Sequence, residues 1–319
     1  MLGVDSGGSG VRFALRRAEP GSMAEVVTSK EPVRTGPAGI DAKHLLDQLF
    51  PAVEELTVRT GADRITAVAV GAAGMATLGD GLRAGLPGAL SRALGVRRLA
   101  LAADAVTAYA GALGLRAGVV VAAGTGMIAL GTDLTTWRRA DGWGHLLGDC
   151  GSGAWIGRAG LEAALRCHDG RPGGSAALLA RLKAVFGAPA ELPALLYPRG
   201  DRPAVLASFA PEVAGCAGAD PVAAAILRDA AGHIAQTAAA ACPPGTDGAP
   251  HLALTGGLFK VGDPLLVPLR EELARRLPQA RTVEAAGDPL EGCLLIAASL
   301  AEGDLRLPRE SQMLWSTIE

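Results

Sequence analysis

The chain has few of the residues that hold small secreted proteins or zinc sites together. Its 319 residues include only five cysteines, which are widely spaced and form no C-x-x-C pair. An odd number at such spacing argues against a disulfide framework and against a zinc knuckle. Aromatic residues make up only 3% of the chain, so each of the four tryptophans marks a place where a large flat side chain is used.

The sequence also lacks a strong net charge and a long hydrophobic run. The formal net charge is −2, so no overall field favours nucleic acid or an anionic membrane as a partner. No run of about 18 apolar residues is present, and no membrane span is expected. The opening Met-Leu-Gly-Val-Asp has no basic region, apolar core or cleavage site, so no signal peptide is expected. These absences predict a reduced, cytoplasmic protein.

The order of the apolar segments predicts a mixed α/β protein. With 319 residues, 49% of them hydrophobic, the chain is larger than one core usually serves, so two domains are expected. Three strands come first, over 2–4, 11–17 and 25–30, and helices and strands then alternate. Apolar spacing predicts a helix over 40–60 and one over 79–94 that Pro87 breaks. A mostly helical region follows from 157 to about 241, and the tail after residue 303 is expected to be only partly ordered.

Two glycine turns share one design, in which a turn joins two strands. The first follows Asp5 and covers residues 6–10, and the second covers residues 124–126. A Rossmann loop or a P-loop would lead into a helix, and G-x-x-x-x-G-K-[ST] is absent. The N–H groups of such turns can face phosphate oxygens, and Asp5 can hold a metal through water. The alternative is an ordinary hairpin with a capping Asp. The duplication predicts two similar halves around a nucleotide cleft, with a boundary near residue 118.

The glycine-rich stretch over 142–157 has the composition of a sugar site. It holds two of the four tryptophans, six glycines and Asp149. Glycine lets backbone approach a ligand closely because it has no Cβ. Tryptophan offers a flat apolar wall, and the carboxylate of Asp149 offers strong hydrogen-bond acceptors.

Four motifs, in this order and spacing, resemble those of the BadF/BadG/BcrA/BcrD ATPase family. They are Asp5-Ser-Gly-Gly-Ser9, Gly124-Thr-Gly126, Gly142-Trp-Gly-x-x-x-Gly-Asp-x-Gly-Ser152 and Leu254-Thr-Gly-Gly257. The family's sugar kinase members are the N-acetylglucosamine kinases, in the hexokinase–actin–Hsp70 superfamily. The resemblance implies an α/β fold of two ribonuclease-H-like (actin-like ATPase) domains, 1–117 and 118–319, with an ATP cleft between them. It also implies a helical insertion at about 157–245 in the second domain and a last helix that packs back on the first.

The resemblance implies a role for each matching residue. Asp104, at the start of a helix, matches the catalytic base, and Asp5 would orient Mg²⁺ through water. Contacts to ATP are implied for Ser6, Gly7, Gly8, Ser9, Gly124, Thr125, Gly126, Gly256 and Gly257. Sugar contacts are implied for Gly36, Gly39, Asp104, Thr125, Trp143, Gly144 and Asp149. A simple helix cap is the alternative interpretation of Asp104.

These roles predict an ATP-dependent kinase for the 6-hydroxyl of an amino sugar, with N-acetylglucosamine as the favoured acceptor. Cys150 stands where the family has an acidic or amide residue, and Gly39 stands where its sugar loop has Asn. Glucosamine, N-acetylmuramate or another hexose therefore stays open as the acceptor. Ser9 replaces the common Thr and keeps its hydroxyl. Two other functions also stay open: an ATPase that activates a 2-hydroxyacyl-CoA dehydratase, although no suitable cysteine pair is evident, and a non-catalytic sensor. The family often forms homodimers, so a homodimer is expected.

Overall fold

The computed structural model describes residues 1–8, 10–19, 21–36, 39–244 and 248–318. The chain forms two compact units. The first unit comprises Met1–Gly118, Thr132–Trp137 and Glu284–Glu319, and the second comprises Val119–Gly131 and Arg138–Val283. The domain ranges 1–117 and 118–319 remain a prediction. The compact units differ from these ranges because residues 132–137 and 284–319 group with the first unit.

The first unit is built on a six-stranded sheet. In order across the sheet, its strands are β13 (Leu314–Ile318), β7 (Arg98–Ala103), β6 (Val68–Ala72), β1 (Leu2–Gly7), β2 (Gly10–Leu15) and β3 (Glu25–Ser29). β1, β6 and β7 are parallel, and β2, β3 and β13 are antiparallel to their neighbours. All five residues of β6 are buried, as its continuous apolar run predicts for a central parallel strand. A separate ribbon joins β4 (Thr35–Gly36) to β5 (Gly39–Ile40).

The helices of the first unit begin and end at local sequence signals. They are α1 (Ala42–Thr60), α2 (Met75–Leu78), α3 (Asp80–Leu94), α4 (Asp104–Leu113) and α12 (Pro289–Glu302). Asp41 caps the start of α1, and Asp288 caps α12 by accepting from the next two free N–H groups. Glycines in the left-handed conformation end α1, α3 and α12.

The predicted break at Pro87 is wrong, because α3 continues through this residue. Leu82, Leu86 and Leu90 recur at helical spacing and are fully buried. Each buried leucine contributes about 1.5–3 kcal/mol, and a proline inside a helix costs about 3 kcal/mol. Burial of the three side chains therefore outweighs the lost backbone hydrogen bond.

The expectation of a partly ordered tail is also wrong, since the tail ends in a strand. β13 pairs with β7 from Leu314, opposite Ala102, to Ile318, opposite Arg98. Buried leucines at 305, 307 and 314 attach the tail to the unit. This pairing joins residues that are more than 200 positions apart, so no local pattern announces it.

The second unit has a five-stranded sheet and most of the helices. Across the sheet the order is β10 (Trp137–Asp141), β9 (Met127–Thr132), β8 (Gly118–Ala123), β11 (His251–Thr255) and β12 (Arg281–Val283). The helices are α5 (Gly153–His168), α6 (Ala176–Phe186), α7 (Leu192–Leu196), α8 (Arg202–Ala207), α9 (Ala210–Cys216), α10 (Pro221–Ala241) and α11 (Asp263–Arg276). Short 3₁₀ turns cover Pro189–Glu191 and Gly257–Val261. Apolar faces of α5, α10 and α11 form one buried core with β8 and β9. Across the described ranges, no helix is both long and apolar enough to cross a membrane.

Candidate active site

The turn between β1 and β2 leaves space around its glycines. Asp5 lies opposite Arg12 in the hairpin, and Gly7 lies opposite Gly10. A Cβ at Gly7 or Gly8 would meet no described atom within 4 Å, and neither residue has a left-handed φ. The described part of the fold therefore does not itself require glycine at these two positions. A ligand can approach this backbone closely, as the predicted phosphate contact demands.

The carboxylate of Asp5 is held by Arg12, a residue that no motif singles out. Nε and Nη2 of Arg12 donate to Oδ2 of Asp5 at 3.1 and 2.6 Å, and Nη1 donates to Oδ2 of Asp288 at 2.5 Å. Burial opposes ionisation of Asp288, but the hydrogen bond and charge of Arg12, together with the backbone N–H groups of Leu290 and Glu291, outweigh it, so the pKa of Asp288 is lowered. Ser6 is buried beside Asp5 in β1. Ser9, the fourth predicted phosphate contact of this turn, lies outside the described residues.

Asp104 lies where β7 ends and α4 begins. Its Oδ1 accepts a hydrogen bond from the backbone nitrogen of Ala105 at 2.9 Å. Ser6 in β1 and Ala103 in β7 are both in register with Ala72 of β6, and these three strands are parallel. Two strand spacings separate β1 from β7, which is about 10 Å. The glycine turn after β1 and the predicted base Asp104 therefore lie at the same edge of the sheet.

The predicted sugar loop forms the ribbon of β4 and β5. Gly36 lies opposite Gly39, and residues 37–38 between them lie outside the described ranges. Gly39 has a φ of +95°, and a Cβ there would lie 3.2 Å from the carbonyl carbon of Leu78. The backbone and its neighbour both require glycine at 39. This requirement explains the glycine at a position where the resemblance leads one to expect Asn.

The second glycine turn is attached to the first turn of α5. The backbone nitrogens of Gly153 and Ala154 donate to the carbonyls of Gly124 and Thr125 at 2.8 and 3.0 Å. A Cβ at Gly126 would lie 2.5 Å from Oδ2 of Asp149. The structure thus brings the predicted phosphate turn into contact with the predicted sugar residue Asp149.

Asp149 is buried, with 8% of its surface exposed, and has a left-handed φ of +54°. Its Oδ1 accepts a hydrogen bond from the backbone nitrogen of Gly144 at 3.0 Å. Burial raises the pKa of Asp149, the bond from Gly144 opposes this, and the nearby charge of Asp141 adds to it. Asp141 itself accepts hydrogen bonds from the backbone nitrogens of Asp149 and Cys150.

Trp143 is exposed over 66% of its surface. The guanidinium of Arg139 lies 4.5 Å from the centre of its ring. Nε and Nη2 of Arg139 also donate to the carbonyls of Asp141 and Gly142, at 3.0 and 2.6 Å. One face of the indole is therefore in contact with a cation.

Cys150 is partly buried, and burial together with the nearby carboxylates raises the pKa of its thiol, which disfavours the nucleophilic thiolate.

Of the two glycine positions that follow β11, the described fold requires glycine at only one. Gly256 has a φ of +105°, and a Cβ there would lie 2.8 Å from the carbonyl carbon of Ala123, so the fold requires glycine. A Cβ at Gly257 would meet no described atom within 4 Å. The 3₁₀ turn that starts at Gly257 leads into α11.

A groove of about 360 Å³ lies between α10 and α11, and Arg228 and Val267 form part of its lining. The sequence did not predict this groove.

A model of the BadF/BadG/BcrA/BcrD ATPase family matches residues 2–297 of this chain. A curated relative, the N-acetylmuramic acid/N-acetylglucosamine kinase of Clostridium acetobutylicum, is 29% identical over 174 residues. That match covers 54% of this chain and 55% of the relative, so the chain spans about half the length of the curated relative it matches.

Solved structures share the fold over nearly the whole chain. A protein from Chromobacterium violaceum, provisionally assigned as an N-acetylglucosamine kinase, is 28% identical with a TM-score of 0.63, over 94% of this chain and 98% of that one. A ROK family glucokinase from Streptomyces griseus, solved with glucose and AMPPNP, is 22% identical with a TM-score of 0.55, over 95% and 99% of the two chains. The predicted α/β fold is confirmed by this likeness.

Proposed function

The chain belongs to the BadF/BadG/BcrA/BcrD ATPase family, and from this premise we propose that it is an ATP-dependent sugar kinase. It transfers the γ-phosphoryl group of ATP to the 6-hydroxyl of an amino sugar. N-acetylglucosamine is the favoured acceptor, because the Clostridium relative acts on it and the Chromobacterium protein is provisionally assigned to it. Glucosamine, N-acetylmuramate and other hexoses are the alternatives that the acceptor screen must separate.

The observation that carries the proposal is the shared sheet edge of the first unit. An open glycine turn and an exposed carboxylate, Asp104, lie there within about two strand spacings. Phosphoryl transfer relies on positioning and on backbone donors around the phosphates, with a carboxylate near the attacking hydroxyl. The space around the Cα atoms of Gly7 and Gly8 leaves room for a phosphate to approach the turn, and Asp104 accepts the proton of the sugar hydroxyl.

In the proposed reaction the sugar oxygen forms a bond to the γ-phosphorus as the bond from phosphorus to the β,γ-bridging oxygen breaks. The hydroxyl proton passes to Asp104, and ADP leaves with the electron pair of the broken bond. General-base catalysis of this kind contributes about 10²- to 10⁴-fold in rate. The hydrogen bond from the amide of Ala105 orients the carboxylate for this role.

Asp5 suits a metal that is bound mostly by ATP. Mg²⁺ in kinase sites keeps several waters and needs only one or two protein carboxylates besides the phosphates. Oδ2 of Asp5 is engaged by Arg12, and the described residues include no cluster of three or more His, Cys, Asp or Glu that could hold a metal. Asp5 would therefore hold Mg²⁺ through water, and the ion would supply neutralisation of the phosphate charge.

The groove between α10 and α11 is the proposed place for the adenosine of ATP. Its lining includes Asp263 and Pro264 at the start of α11, the helix that follows the 3₁₀ turn from Gly257. A Cβ at Gly257 would meet no described atom within 4 Å. The groove lining combines apolar Val267 with Arg228 and Glu271, a mixture that can contact a flat base and its polar edge. The fold requires glycine at 256, whereas glycine at 257 leaves space for the nucleotide.

The test is release of ADP measured with N-acetylglucosamine, glucosamine, N-acetylmuramate, N-acetylmannosamine and glucose in turn. Asp104→Asn is expected to lower kcat by about 10²- to 10⁴-fold while ATP still binds. Asp80→Asn is the matched control, since Asp80 is also the first residue of a helix, α3, and is exposed. Sugar-independent ATP hydrolysis by the wild type, or near-normal turnover of Asp104→Asn, would overturn the proposal. Light scattering on the same samples checks the predicted homodimer.

A further inference from the structure

Asp141, the last residue of β10, has an unusual backbone conformation. Its φ is +59°, in the left-handed region that residues other than Gly, Asn and Asp rarely adopt. Such conformations persist where the surrounding structure holds them, and they cluster at functional sites. The contacts of Asp141 therefore need an explanation, and they lie next to the stretch predicted to bind sugar.

The carboxylate of Asp141 holds two successive amides of that stretch. Oδ1 accepts from the backbone nitrogen of Asp149 at 2.7 Å, and Oδ2 accepts from that of Cys150 at 3.0 Å. A carboxylate can accept at both oxygens, whereas an amide side chain has only one accepting oxygen. Bonds to an ionised acceptor are about twice as strong as neutral ones. The two peptide groups that flank the Cα of Asp149 are thus both held by one side chain.

Gly148 provides separate support for this arrangement. Its φ is not left-handed, so its conformation does not call for glycine. A Cβ at Gly148 would overlap Oδ1 of Asp141 and would lie 3.0 Å from Cβ of Trp143. Glycine at 148 therefore leaves the space that the Asp141 carboxylate occupies.

Holding residues 149–150 determines where the side chain of Asp149 points. Asp149 has a left-handed φ of +54°, and its carboxylate faces the amide of Gly144 and the Cα of Gly126. Without the two hydrogen bonds that the Asp141 carboxylate accepts, the backbone at 149 can leave this conformation. The carboxylate would then lose its place beside the glycine turn.

We propose that Asp141 is a positioning residue for the sugar site, which holds the backbone of residues 149–150 and so aims Asp149 at the sugar. This inference rests on the proposed sugar kinase function. It assigns Asp141 an effect on affinity for the sugar acceptor and no contact with ATP.

The test compares Asp141→Gly, Asp141→Asn and Leu134→Gly. Glycine at 141 tolerates the left-handed φ but removes both acceptors, and Asn tolerates it and keeps one. Leu134 has a φ of +73° and lies in the turn before β10, so Leu134→Gly controls for relief of backbone strain outside the loop. We expect the KM for N-acetylglucosamine to rise about tenfold for each lost hydrogen bond. The rise in KM is therefore smaller in Asp141→Asn than in Asp141→Gly. The KM for ATP stays within about twofold, and Leu134→Gly changes neither.

Hydrogen exchange supplies a measurement that does not depend on activity. The amides of Asp149 and Cys150 are expected to exchange at least tenfold faster in Asp141→Gly than in wild type. Unchanged exchange in both Asp141 variants, or an equal rise of both KM values, would overturn the inference. Absence of sugar-stimulated turnover in the wild type would instead overturn the proposed function, and exchange would still decide whether Asp141 holds the loop. If Asp141→Gly does not fold, Asp141→Asn decides by the same two measurements.

Discussion

The contact between α4 and α12 offers a quantitative test of the structure. A Cβ at Gly292 in α12 would overlap the carbonyl oxygen of Thr107 and would lie 2.7 Å from the backbone nitrogen of Gly111 in α4. A Cβ at Gly111 would in turn lie 2.7 Å from the carbonyl carbon of Asp288. These neighbours are backbone atoms, which cannot rotate away. Gly292→Ala therefore forces the two helices apart.

The expected loss of stability follows from two opposing effects. Overpacking in a well-packed core costs about 1–3 kcal/mol, and the upper end applies here because backbone meets backbone. Alanine returns about 1 kcal/mol through its higher helix propensity. The net loss is about 2 kcal/mol, which lowers the melting temperature by about 4–8 °C in a unit of this size. Gly88→Ala in α3 is the control, since its Cβ would meet only the end of the flexible Arg92 side chain, at 3.2 Å.

Thermal melts followed by circular dichroism measure both variants, and ADP release measures activity well below the melting range. Because α4 begins at Asp104, a shift of α4 also moves the proposed base, and a displacement of about 1 Å can cost about 100-fold in rate. Gly292→Ala is thus expected to lose both stability and kcat, while Gly88→Ala keeps its kcat and gains up to about 1 kcal/mol of stability from the helix propensity of alanine. A melting temperature for Gly292→Ala within about 1 °C of wild type would refute the close packing of α4 and α12.

Two further predictions concern Arg12 and the glycines after β11. The pKa of Asp288 is lowered in the folded chain, so its ionised form stabilises the fold. This contribution is fully present above the unfolded pKa of about 4. It is lost as the pH falls through the lower pKa of the folded chain. Arg12→Gln should flatten that loss in urea unfolding measured from pH 6 to pH 2, and an unchanged acid dependence would contradict the ion pair. Gly257→Ala should melt like the wild type but raise the KM for ATP, whereas Gly256→Ala should lower the melting temperature, since its φ is +105°. Equal melting of the two alanine variants would show that the fold does not distinguish these glycines.

Local patterns in the sequence were enough to predict many of the elements. The helix over 40–60 was predicted from apolar spacing, and the structure has α1 at Ala42–Thr60, with Asp41 as its cap. The two glycine turns were predicted as hairpins because apolar strands flank each of them, and β1–β2 and β8–β9 have those positions. The order of four motifs indicated the family, which the match over residues 2–297 confirms. The roles assigned to single residues stay predictions until the variants are measured.

Features that join distant residues could not be predicted in this way. The continuity of α3 through Pro87 depends on what its leucines are buried against. β13 exists because β7 offers an open edge to a segment more than 200 residues later. Arg12 joins Asp5 to Asp288 across the unit, and no pattern around residue 12 announces residue 288.

The sequence by itself determined the α/β class, the glycine turns, the candidate sugar substrates and the candidate carboxylates of the site. These follow from local backbone preference and from side-chain chemistry. Only the tertiary structure decided which glycines the fold needs and which it leaves open to a ligand, since that depends on atoms brought close from elsewhere in the chain. It also decided that Asp141, beside the motif and outside it, holds the backbone of Asp149. The physical reason is that hydrogen bonds and overlaps act over a few ångströms in space, whatever the separation along the chain.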